Sequence, residues 1–174
     1  MNDRYLFDVK GTGFHAIACE QHPFAELQMR LQFSCPDAVV RRIRGHKSRT
    51  LNGFFDEVAA TLQFPYYFGE NWSAFRDCIL DRSWLPGNAY VLMFADAHLL
   101  FDQASEANLT ALNSCLQEVH AACHPDPAIA PDVKWLPFHV VFQSPEANQE
   151  MLVSRLTSAK FVLDPEWPGS DTIF

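Results

Sequence analysis

The sequence predicts an α/β protein, a small parallel sheet packed with helices. Two runs, AYVLMFAD at 89–96 and FHVVFQ at 138–143, are nearly unbroken apolar stretches of strand length, as in strands buried on both faces. Around them apolar residues recur at helical spacing, and the elements follow the order β, α, α, β, α, α, β of a sheet with crossover helices. An apolar fraction of 48% and a charged fraction of 20% over 174 residues suit one globular unit.

Along the chain, residues 1–37 read as an irregular or strand-rich preface. YLFDV and FHAIACE flank Gly11 and Gly13 like two short strands around a glycine turn. DAVVRRIRG carries β-branched residues up to Gly45, so a strand is expected over 38–44. In LNGFFDEVAATLQF, Asn52 is the expected N-cap, with Asp56 and Glu57 in the early turns. Phe54, Phe55, Val58 and Leu62 form the buried stripe, and Pro65 marks the end. A second helix is expected over 72–81, capped by Asn71 after a left-handed connection at Gly69. It turns Trp72, Phe75, Cys78 and Ile79 to one face, and Ser73, Arg76 and Asp77 to the other.

Pro86, Gly87 and Asn88 then introduce the central strand at 89–96, followed by a short helix at 97–103. A long helix follows with Leu109, Leu112, Leu116 and Val119 inward, ended by PDPAIAPD. After FHVVFQ, Pro145 opens a last helix to about residue 158, and KFVLD reads as a further short strand.

The most informative stretch is FPYYFGENWSAFRDCI, residues 64–79. It resembles the signature of the barstar family, intracellular inhibitors of secreted bacterial ribonucleases, in which a Leu/Phe-Pro, tyrosines, Gly-Glu-Asn and a helix bearing an aspartate and a cysteine occur at this spacing. The resemblance implies three parallel strands with helices and a protein that plugs a nuclease cleft with a helix and its adjoining loop. It implies Tyr67 as contact tyrosine, Gly69, Glu70 and Asn71 as turn and cap, and Asp77 as the carboxylate that enters the phosphate pocket. Glu118 on the long helix stands as a second acidic contact. Physically, a carboxylate carried on a helix can imitate a substrate phosphate among basic groups. Two positions depart from the family pattern: Ser73 replaces an aspartate and Arg76 a tryptophan. Both change the expected binding face. The resemblance divides the chain into an N-terminal extension (1–37), a barstar-like domain (38–144) and a C-terminal helical extension (145–174) packed on the same domain.

Net charge is −8 with a pI of about 5.2, which argues against phosphate-backbone binding as the main activity. Residues 56–106 hold eight acids against two bases, a field suited to steering a basic partner. Five Lys and Arg sit in RRIRGHKSR at 41–49, which reads as a solvated strand edge and loop rather than a nucleic-acid site, because no aromatics interleave it. Tyr66 and Phe68 read as core or supporting residues, and Trp72 as buried under its helix.

The five cysteines form no C-x-x-C pair and read as reduced thiols. In HAACH, His120 and His124 have metal-ligand spacing, but no third ligand is evident. They read as helix-terminal histidines favoured by the dipole, so neither metal nor cofactor is expected. Cys78 beside Asp77 is no nucleophile and base pair, because neighbours on a helix point about 100° apart. Without a phosphate-binding glycine loop or nucleophile motif, no enzyme is expected. No run reaches the roughly 20 apolar residues of a membrane helix, and the start lacks a leader, so a cytoplasmic protein is expected.

The resemblance therefore implies a non-catalytic inhibitor, of the immunity-protein kind in a toxin and antitoxin pair, whose partner is a ribonuclease or nuclease toxin. The alternative is an interaction adaptor with the same fold and a partner that is not a nuclease.

Overall fold

In a computed structural model, which describes residues 13–124, 132 and 135–164, four parallel strands form one sheet in the order β1-β4-β3-β2. The strands are β1 (Phe14–Ala18), β2 (Ala38–Arg44), β3 (Ala89–Ala95) and β4 (Phe138–Ser144). The helices are α1 (Gln21–Ser34), α2 (Leu51–Leu62), α3 (Trp72–Asp81), α4 (Ala107–Cys123) and α5 (Glu146–Ser158). Both central strands, β3 and β4, are buried along their whole length, which accounts for their unbroken apolar sequences.

Side chains alternate across the sheet. Tyr90, Leu92 and Phe94 of β3 join Phe138, Val140 and Phe142 of β4 in a large core with α2, α3, α4 and α5. On the other face Val91, Met93 and Ala95 meet Ile17, Val40, Val141 and the buried stripe of α1, Phe24, Leu27 and Leu31. Fully burying each of these three side chains contributes about 1.5–3 kcal/mol.

The sheet corrects several expectations. It has four strands rather than three, because residues 14–18 pair in parallel with β4, Phe14 opposite Val140. FHAIA is the strand expected after the glycine turn, and its expected companion YLFDV lies outside the described residues. Gly13 holds φ at 77°, and a Cβ there would collide with the His120 ring and lie 2.9 Å from the Phe138 oxygen. Residues 21–34 are helical rather than irregular. Their pattern is obscured because only three residues form the buried stripe while Met29 and Phe33 are exposed. KFVLD forms no strand: Asp164 donates one backbone bond to the Phe14 carbonyl (2.7 Å), Val162 is exposed, and only Phe161 is buried.

Helix α2 is capped by Thr50 rather than Asn52, its hydroxyl accepting the Gly53 N–H at 3.1 Å. Glu57 does not serve the helix start. Its buried carboxylate accepts the Arg44 backbone N–H (3.0 Å), Nε (2.8 Å) and Nη2 (2.7 Å). Together with Gln32 Nε2 and Arg41 Nη1 on the Val40 carbonyl, this occupies exposed backbone groups of β2, an edge strand. Arg49 pairs with Asp102 at 2.6 Å, so the basic run at 41–49 is partly spent on intramolecular pairs. All five cysteines are free thiols, four of them buried. Among the described residues no helix is long and apolar enough to cross a membrane.

Candidate functional site

Helix α3 is built as the sequence predicts. The Asn71 side chain accepts the Ala74 N–H at 3.0 Å and donates to the Gly69 carbonyl at 2.8 Å, tying cap and turn together. The left-handed residue is Glu70, with φ of 48°, rather than Gly69. Phe75, Cys78 and Ile79 are buried against the large core. Trp72 is half-buried rather than fully covered, with its ring 5.3–6.0 Å from those of Phe54, Phe55, Phe75 and Phe101.

The preceding loop divides its aromatics by role. Phe64 and Phe68 pack edge to face with centroids 4.8 Å apart, and Phe68 reaches Phe55 at 5.9 Å. A backbone bond from Phe68 N–H to the Pro65 carbonyl (2.9 Å) closes a turn with Tyr66 and Tyr67 at its two central positions. Both rings therefore point away from the core. Tyr66, expected to be core or support, is 101% exposed and Tyr67 63%, their rings in a T-shaped pair at 5.6 Å. Proline opening a turn was the signal in the sequence that pointed outward.

The outward face of α3 carries Ser73, Arg76 and Asp77. Asp77 is freely accessible, with its side chain 66% exposed. The Arg76 guanidinium donates Nε to Glu118 on α4 and Nη1 to an Asp77 oxygen at 3.1 Å. The bond to Glu118, then its charge, raises the Arg76 pKa further above its already high value. Thus the structure gathers Tyr67, Gly69, Glu70, Asn71, Ser73, Arg76 and Asp77 on one loop and helix, and brings Glu118 to them through Arg76. That last link joins residues 42 positions apart and has no signature in the sequence.

At the other histidine motif, the His120 and His124 rings lie 4.2 Å apart and His124 Nδ1 contacts the His120 carbonyl at 2.9 Å. Burial, then the neighbouring His124, pushes His120 down to about 4. Among the described residues no three His, Cys, Asp or Glu converge as metal ligands.

The family model described as "Barstar (barnase inhibitor)" matches residues 38–143. This chain belongs to the barstar family. No curated protein matches it. The matched stretch runs from β2 to the end of β4 and contains the whole loop and α3, whereas β1, α1 and α5 lie outside it. The barstar family is one of inhibitors rather than catalysts, and membership points to ribonuclease inhibition.

Proposed function

We propose that this protein binds a ribonuclease, or a related nuclease toxin, and occludes its active-site cleft with the loop and helix from Tyr67 to Asp77, as a cytoplasmic immunity protein does. The observation that carries this reading is the exposed Asp77 carboxylate on a firmly seated, capped helix inside the stretch matched to barnase inhibitors. A ribonuclease must bind phosphate, so its cleft holds cations. A carboxylate fixed on a helix can replace that phosphate without ordering a loop first. Tyr67 supplies an aromatic contact beside it, Glu70 adds negative charge at the turn, and steric blockage requires no cofactor.

The test is a pull-down from native cell extract with the wild-type protein and Asp77→Ala, assaying the retained proteins for ribonuclease activity with and without added inhibitor. A nuclease captured and silenced by the wild type and poorly by Asp77→Ala is the expected result. Capture of a partner without nuclease activity, indifferent to Asp77, refutes the plug and favours the adaptor alternative.

A further inference from the structure

The Arg76 guanidinium links two acids on two helices, Asp77 beside it and Glu118 across the junction of α3 and α4. All three side chains remain substantially exposed, at 43% for Arg76, 66% for Asp77 and 49% for Glu118, so a docking protein can reach each of them. Nε and Nη1 are engaged, while no bond from Nη2 to an acceptor is found among the described residues. Glu118 holds the guanidinium in place, so a base approaching Asp77 also meets a fixed cation. Ser73, one turn earlier and exposed, adds no acid to compensate.

We propose that Arg76 determines the specificity of this face: it favours a cleft of mixed charge, in which an acid meets the guanidinium beside the base that meets Asp77, over a cleft lined by bases alone. The proposal rests on the ribonuclease-inhibitor reading above. Its physical basis is the cost of juxtaposing like charges in a desolvated contact, which selects against a partner as effectively as an attraction selects for one. The Nη2 group, which has no acceptor among the described residues, also offers a directional donor that a carboxylate matches and a base does not.

The experiment titrates purified barnase, whose cleft must hold RNA phosphates and is basic for that reason, with the wild-type protein, Arg76→Ala, Arg76→Lys, Glu118→Gln and Asp77→Ala at low and high salt. Arg76→Ala is expected to inhibit about tenfold more tightly than wild type at low salt, through faster association, with the gain shrinking at high salt. Arg76→Lys keeps the charge and stays within about threefold of wild type, while Glu118→Gln removes the counter-charge and inhibits less well. If Arg76 only braces α3 against α4, Arg76→Ala and Glu118→Gln both break the brace and shift inhibition in the same direction. That result, with Asp77→Ala still defective, overturns the specificity role and leaves the plug standing. Inhibition by none of the proteins, Arg76→Ala included, overturns the specificity role, because removing the cation should open this face to a basic cleft; inhibition indifferent to Asp77 overturns the plug and the proposal with it.

Discussion

Replacing Glu57 by alanine removes the acceptor that holds the middle of α2 to the end of edge strand β2. The carboxylate is 4% exposed and takes three donors from Arg44, at 3.0, 2.8 and 2.7 Å. Bonds to charged groups are worth about 1.5–3 kcal/mol each, and truncating one partner of a fully buried pair costs about 3–5 kcal/mol. Arg44 is half exposed, however, and rehydrates once released, so the upper range does not apply. We expect a loss of about 2–3 kcal/mol, or roughly 5–10 °C in Tm for a chain of this size. Urea unfolding by circular dichroism at pH 7 measures it, with an unchanged m-value as the sign that both end states are otherwise preserved. Burial alone raises the Glu57 carboxyl, but the Arg44 hydrogen bonds and charge overcome it and hold it below the ordinary value. The stabilisation is therefore present above the unfolded pKa of about 4.3 and disappears as pH falls through the lower folded value, so wild type and Glu57→Ala converge in acid. A loss under about 0.5 kcal/mol at pH 7, or a difference that persists undiminished in strong acid, refutes the assignment of this pair as a clamp on the sheet edge.

His15 is fully buried, stands 3.1 Å from His139 through Nε2 and Nδ1, and is pushed down to about 4 by burial, against the charge of Asp164. Its folded pKa lies below the unfolded one, so the unfolded state gains protons first and stability falls as pH drops below about 6.5, by about 2 kcal/mol at pH 5. His120, held at about 4 as well, adds in the same direction, so unfolding free energies at pH 7.5 and 5.0 are expected to differ by at least this much, and a flat profile contradicts it. Asp77→Ala leaves Tm unchanged, because the side chain is exposed, yet weakens inhibition of the captured ribonuclease by about 2–5 kcal/mol; that range includes measurements on a complex of this family, so it calibrates the assay rather than the geometry. Asn71→Ala removes the α3 cap and costs about 1 kcal/mol in urea unfolding, with Asn71→Asp restoring most of it. Tyr66→Ala unfolds at the wild-type temperature, whereas Phe68→Ala, which loses contacts to Phe64 and Phe55, unfolds earlier by calorimetry.

How much was legible followed how local each cause was. The bounds of β2 and α3 match the sequence reading because their determinants lie within a few residues: β-branched side chains stopping at Gly45, and Asn71 ahead of an apolar stripe. β3 and β4 were readable from composition alone, since burial on both faces leaves no polar alternation to misread. α1 was missed because a helix that buries only Phe24, Leu27 and Leu31 against the sheet leaves Met29 and Phe33 outward, and these erase the contrast between faces. The strand at 14–18 is legible in FHAIACE, but its place in the sheet is not, for a related reason: pairing β1 with β4 joins segments more than 120 residues apart, and no short pattern encodes that partnership. At the site, the loop and helix were visible from their motif, but the Arg76 link to Glu118 depends on how α3 and α4 pack. Tyr66 was misassigned because aromatics beside a glycine more often fill a core, and only the turn from Pro65 to Phe68 turns it outward.

The two faces of the sheet separate the work of the chain. α3 seats Phe75 and Ile79 in the large core on one side, with Leu92 and Phe94 of β3, whereas α1 seats Phe24, Leu27 and Leu31 on the other, with Val91 and Met93. The thickness of a fully buried strand thus stands between α1 and the face that carries Asp77. β1 sits at the sheet edge remote from β2, separated from it by both central strands. Such a placement makes β1 and α1 covers for sheet surface that is otherwise apolar: without them Val91, Met93, Val141 and Val40 lie open to water. Under the proposed function, a substitution such as Leu27→Ala is expected to act on inhibition only through the fraction of folded protein, while one at Arg76 or Asp77 is expected to act through contact and charge. The helix proposed to meet the partner is thereby fixed by packing on its inner side and left free in chemistry on its outer side, which lets residues such as Ser73 and Arg76 vary without disturbing the fold that presents them.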